Sequence, residues 1–86
     1  MSIVARMQLA TAVIEQYNFE AVGNVRVDEK GAEISLHENA EFYKVSTNFK
    51  EFPIEGNEIV ETRMEVVVNG VTLVAYRLKG EMSVAS

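Results

Sequence analysis

The chain has 86 residues, 48% of them apolar and 24% charged, which is one small domain able to build a core and far from the disordered class. It has no cysteine and one histidine, which excludes disulfides, cysteine-based zinc sites and histidine-rich metal sites. Thirteen acids against eight bases give a net charge of −5, which disfavours direct binding to a phosphate backbone.

Ile3, Met7, Ala10, Ile14, Tyr17 and Ala21 recur at steps of three or four, the spacing of one helix face. Ser2 can cap the start by accepting from an early backbone N–H, and Gly23 can supply the left-handed residue past the end. The spacing predicts a helix over about 3–21. Asn18 offers an earlier stop that would release Phe19–Val22 to begin a strand. Leu9 and Val13 widen the apolar stripe, either into deeper core packing or into an exposed patch that meets another chain.

After Gly23 the period falls to two. Val25 and Val27 alternate with Arg26 and Asp28, and Glu29-Lys30-Gly31 makes a turn. Ala32, Ile34 and Leu36 then alternate with Glu33, Ser35 and His37. Strands are predicted over about 25–28 and 32–37, one face buried and one wet. Tyr43, Val45 and Thr47 alternate with Phe42, Lys44 and Ser46, which predicts a strand over about 41–48. Phe49–Asn57 reads as irregular, because Pro53 cannot donate to a central ladder and Gly56-Asn57 favours a turn. Phe52 and Ile54 are expected to fold inward beneath that loop.

The strongest local signal is Asn69-Gly70 between two apolar runs, the chemistry of a two-residue type I′ turn. It predicts a long hairpin with strands over about 58–68 and 71–79. The turn sets the register, with Val68 facing Val71, Val66 facing Leu73 and Met64 facing Ala75 on a wholly apolar core face. The second face gathers Val67, Val74, Tyr76 and Leu78. A sheet covered by one helix should be polar on its other side, so these four predict a cover. A second copy packing sheet to sheet is one, the 49–57 loop or the C-terminal tail is another, and tolerated surface exposure is the remaining alternative. Glu81–Ser86 reads as frayed. The expected fold is α+β: an N-terminal amphipathic helix on an antiparallel meander of four or five strands, in a single domain over 1–86.

No catalytic, metal or nucleotide motif stands out. Glu33, Ser35 and His37 share the wet strand face, but same-face neighbours on a strand lie about 6.6–7 Å apart, too far for a direct relay. The glycines are isolated, so no phosphate loop is present. Glu51, Glu55, Glu58 and Glu61 recur every three or four residues, but without the Asp-rich spacing of a Ca²⁺ loop. They belong to an acidic middle: Asp28–Glu61 holds nine acids and three lysines, whereas 62–86 holds three bases and two acids.

No cofactor and no enzymatic activity are expected. The leading expectation is a small protein-binding module that forms a homodimer through Val67, Val74, Tyr76 and Leu78. A second is an acidic inhibitor, of the counter-defence type found in phages and mobile elements, presenting Glu51, Glu55, Glu58 and Glu61 to a basic nucleic-acid-binding groove. A third is a small ligand-binding domain or enzyme with its pocket between helix and sheet. Residues 1–20 carry one base, Arg6, and no apolar run approaches the ~18 residues of a membrane span, so neither a leader nor an anchor is expected. Absence of cysteine suits a cytoplasmic setting.

Overall fold

The structure, a computed structural model, describes residues 2–46 and 48–79. Helix α1 (Ile3–Tyr17) is followed by strands β1 (Val22–Asp28) and β2 (Gly31–Leu36), helix α2 (Asn39–Val45), and strands β3 (Lys50–Pro53), β4 (Val60–Val68) and β5 (Val71–Leu78). The expectation for Glu81–Ser86 falls outside the described residues.

Ser2 caps α1 as expected, its hydroxyl accepting from the Ala5 N–H at 3.1 Å. The helix stops at Tyr17 rather than near residue 21. Asn18, not Gly23, takes the left-handed conformation (φ 54°), and its N–H closes on Glu15 and Ile14. Asparagine tolerates that conformation better than other residues with a side chain. Gly23 instead lies inside β1, at a bulge between Val22 and Asn24.

Strand order is β1-β2-β5-β4-β3. The α+β class holds, with a helix packed on a mostly antiparallel five-stranded sheet, but the connectivity is not a plain meander. β5 lies beside β2 and pairs with it in parallel, Ile34 opposite Leu73 and Ser35 opposite Val74. The Asn-Gly hairpin has the register read from the sequence. Asn69 and Gly70 both carry positive φ, 50° and 79°, as a type I′ turn demands.

Residues 39–45 form a helix, not the strand expected over 41–48. Seven residues make a marginal helix on their own, so tertiary contacts decide. In helical form Phe42 enters the core with no exposed surface. Its ring meets Phe49 edge-on with centroids 5.1 Å apart. The neighbouring Glu41 turns the other way, toward the chain after α1.

Both helices lie on one side of the sheet. Ala10, Val13, Phe19 and Phe42 pack on Ala32, Ile34, Leu36, Met64, Val71, Leu73 and Ala75. Leu9 and Val13 therefore serve the core. The start of α1, Ile3 to Gln8, does not. Lys50–Pro53 is an edge strand rather than irregular chain, and Pro53 is tolerated there because an edge strand has N–H positions outside the ladder. Phe52 is exposed rather than folded inward, because its pairing with Arg63 puts it on the open face.

Candidate functional site

The open face of the sheet can be laid out from the strand registers. One row runs Val67, Thr72, Glu33, Arg26; the next Lys50, Glu65, Val74, Ser35, Asn24; the next Phe52, Arg63, Tyr76. Val74 is the midpoint of the diagonal from Arg63 on β4 to Glu33 on β2. Arg63 spans that diagonal, its Nη2 lying 2.9 Å from Glu33 Oε1. Its Nε donates to Glu65 Oε2 at 2.7 Å, and its Nη1 donates to the Tyr76 hydroxyl at 3.0 Å. Arg26 adds a longer contact to Glu33, 3.9 Å, and one to Asp28, 3.8 Å.

The physical consequence is that Val74 has 0% exposure on a face that, among the described residues, no helix covers. The planar guanidinium, held by two carboxylates and a hydroxyl, is its lid. Burial alone opposes the charge on Arg63, yet the hydrogen bond to Glu65, with Tyr76 and Glu33 nearby, raises its pKa above the ordinary guanidinium value.

The four residues read from sequence as an apolar face are therefore separated. Val67 stands at one end, 67% exposed. Val74 is sealed in the middle. Tyr76 and Leu78 are exposed at the other end, 37% and 39%, with the Tyr76 ring beneath Arg63 (5.9 Å from guanidinium carbon to ring centroid). The cover that the sequence called for is supplied, over Val74, by the chain's own charges.

The four glutamates also divide. Glu51 lies 2.9 Å from Arg77 Nη1, and Glu61 lies 3.7 Å from Arg77 Nε. Glu55 and Glu58 stand exposed in the β3–β4 connection, whose geometry is fixed by Asn57 Oδ1 accepting from the Ile59 and Val60 N–H groups. Two of the four glutamates are thus engaged by one arginine, which offsets one of their two charges.

Glu33, Ser35 and His37 are engaged separately. Glu33 is held by the two arginines. The His37 ring rests on Gly23, where a Cβ would come within 2.9 Å of Nε2. An open cleft of about 680 Å³ lies where β2 and β5 end, lined by His37, Glu38, Asn39, Tyr43 and Tyr76 with apolar residues between them. The Tyr43 hydroxyl is directed at Met64 Sδ, 3.6 Å away, and that of Tyr76 accepts from Arg63. No nucleophile–base pair converges there, and the described residues contain no cluster of three metal-ligating side chains.

Two features escaped sequence reasoning. The first is Glu41, 5% exposed, whose carboxylate accepts from the Glu20 N–H at 2.8 Å and the Ala21 N–H at 2.7 Å. Those donations, Glu20 first, hold its carboxyl below the ordinary carboxylate range against the opposing effect of burial. Glu41 ties the α1–β1 connection to α2.

The second is an apolar shoulder where the start of α1 passes edge strand β1. Ile3, Val4, Met7 and Val25 are 52%, 63%, 53% and 43% exposed. They are contiguous: one groove is lined by Ile3, Met7, Thr11, Val25 and Val27, and a second by Val4, Met7 and Thr11 with their neighbours. The signal was present in the sequence as a stripe wider than one sheet contact, but the stripe does not show which end of the helix stays uncovered.

Comparison with protein-family models, curated proteins and solved structures finds no match for this chain.

Proposed function

We propose that the protein is a small non-enzymatic protein-binding module that works as a homodimer, with the α1–β1 shoulder as its contact surface. The supporting observation is the contiguous exposure of Ile3, Val4, Met7 and Val25. Scattered apolar residues on a surface need no explanation, but a joined cluster on one flank is the usual mark of association. Charge favours the same place. Residues 1–27 hold two arginines and two glutamates, net zero, while Asp28–Glu61 carries most of the negative charge. Two copies of an acidic chain approach most easily through their neutral flank.

Sedimentation or light scattering across the micromolar range tests the reading. Wild type forms dimers at high micromolar concentration, and Val4→Asp or Met7→Asp, each on a side chain already more than half in water, returns it to monomer with the fold intact. A wild-type chain that stays monomeric throughout refutes it. The acidic-inhibitor reading has less support, since Glu33, Glu51, Glu61 and Glu65 are each engaged by an arginine. A cytoplasmic setting is part of this proposal and rests on the lack of cysteine. Among the described residues no helix is long and apolar enough to cross a membrane.

A further inference from the structure

The two edges of the sheet are built differently. β3 is guarded: it has four residues, Lys50 at its start and Pro53, which has no N–H, at its end. Short length, lysine and proline are the common means of blocking an edge against another strand. β1 has seven residues and contains no proline or lysine.

Which groups β1 leaves open follows from its hairpin. Asp28 and Gly31 flank a two-residue turn, Glu29-Lys30, so they form a hydrogen-bonded pair. Alternation then makes Arg26↔Glu33 a bonded pair and directs the N–H and C=O of Val25 and Val27 away from β2. Those two residues also line the apolar groove beside Ile3 and Met7. Among the described residues, an unpaired edge and an exposed apolar strip therefore lie along the same line.

The charges on β1 point to what fits there. Arg26 and Asp28 stand two residues apart on the open face, and each is half or more exposed or nearly so (side chains 64% and 45%). Such a pair is self-complementary: run antiparallel about a two-fold axis at Val27, Arg26 of each copy lies opposite Asp28 of the other. An axis at Arg26 would instead oppose two guanidiniums, which is destabilising.

We propose that a second copy of this chain adds antiparallel along the β1 edge about Val27, joining the two five-stranded sheets into one continuous sheet with the two α1 helices flanking the seam. This rests on the self-association reading above and states how it occurs. The outward N–H and C=O of Val27 pair with those of Val27 in the second copy, Val25 comes opposite the second copy's turn at Glu29, and the apolar grooves close over Ile3 and Met7.

Residue-resolved amide exchange on the wild-type chain, at protein concentrations below and above dimerisation, tests the arrangement. In the monomer the Val25 and Val27 amides exchange freely while Asn24 and Arg26, in the ladder, are protected. In the dimer the Val27 amide slows by about tenfold or more. Arg26→Asp, which opposes two carboxylates across the seam, weakens the dimer by about tenfold or more, an effect that shrinks in high salt. A dimer in which the Val27 amide exchanges as fast as in the monomer, or in which Arg26→Asp leaves affinity unchanged, overturns the edge pairing while leaving self-association standing. A chain with no dimer at all ends both.

Discussion

Replacing Glu41 by Gln isolates one buried charge with its geometry known. The carboxylate accepts two backbone N–H groups, at 2.8 and 2.7 Å, and is nearly out of solvent. Glutamine keeps the shape but has one oxygen, so one of the two N–H groups meets an amide NH₂ and goes unsatisfied. A hydrogen bond to a charged group is worth about 1.5–3 kcal/mol, and a stranded buried donor costs a similar amount, so the variant should lose about 2 kcal/mol. For a domain of this size that is a fall of roughly 10 °C in Tm. The sign with pH follows from the direction of the shift. Glu41 is held below the ordinary carboxylate range in the folded state, chiefly by the Glu20 N–H. Its contribution is complete above the unfolded-state value of ~4.3 and is lost as pH falls through the lower folded value. Urea unfolding of both proteins, at neutral pH and in steps down through the acid range, measures this. The gap should hold to about pH 5 and then close. A gap under about 0.5 kcal/mol at neutral pH, or one that persists unchanged in acid, refutes the two-donor account of Glu41.

Other outcomes follow from the same packing. Val74→Glu places a carboxylate under the Arg63 lid beside Glu33 and Glu65, and should destabilise by about 4 kcal/mol or leave the chain unfolded by circular dichroism. A folded Val74→Glu protein would show that Val74 is a surface residue after all. Gly23→Ala pushes a methyl into the His37 ring. Because that side chain is exposed and can swing away, the cost should stay under about 1 kcal/mol. The double variant with His37→Ala should recover it, and a large loss that the double variant does not recover would mean the strain lies in the backbone.

Local chemistry was readable from the chain wherever one or two turns suffice to specify it. Ser2 caps a helix because its hydroxyl reaches an N–H three residues on, whereas the stop at Asn18 was legible only as an alternative to the longer 3–21 helix, because asparagine accepts positive φ without requiring it. Asn69-Gly70 dictates a tight hairpin, and with it every cross-strand pair from Met64 to Ala75. Helix periodicity gave the right element but not its exposed end, since Ile3 and Met7 fit the stripe as well as Ala10 does. Only the sheet's position beneath α1 leaves Ile3 to Gln8 outside the core. The shoulder was thus half visible, whereas Glu41 was invisible, because its partners lie some twenty residues away.

The sequence alone therefore determined the α+β class, the helix start and the hairpin register, all set by contacts between near neighbours. Tertiary structure decided what depends on distant partners. Residues 39–45 coil because Phe42 finds the core and Glu41 finds two N–H groups only in that form. β5 joins β2 in parallel, a choice no turn specifies. Val74 is dry because Arg63 and Glu33, thirty residues apart, meet above it. A strand's rhythm says which side chains share a face, but not what lies over them.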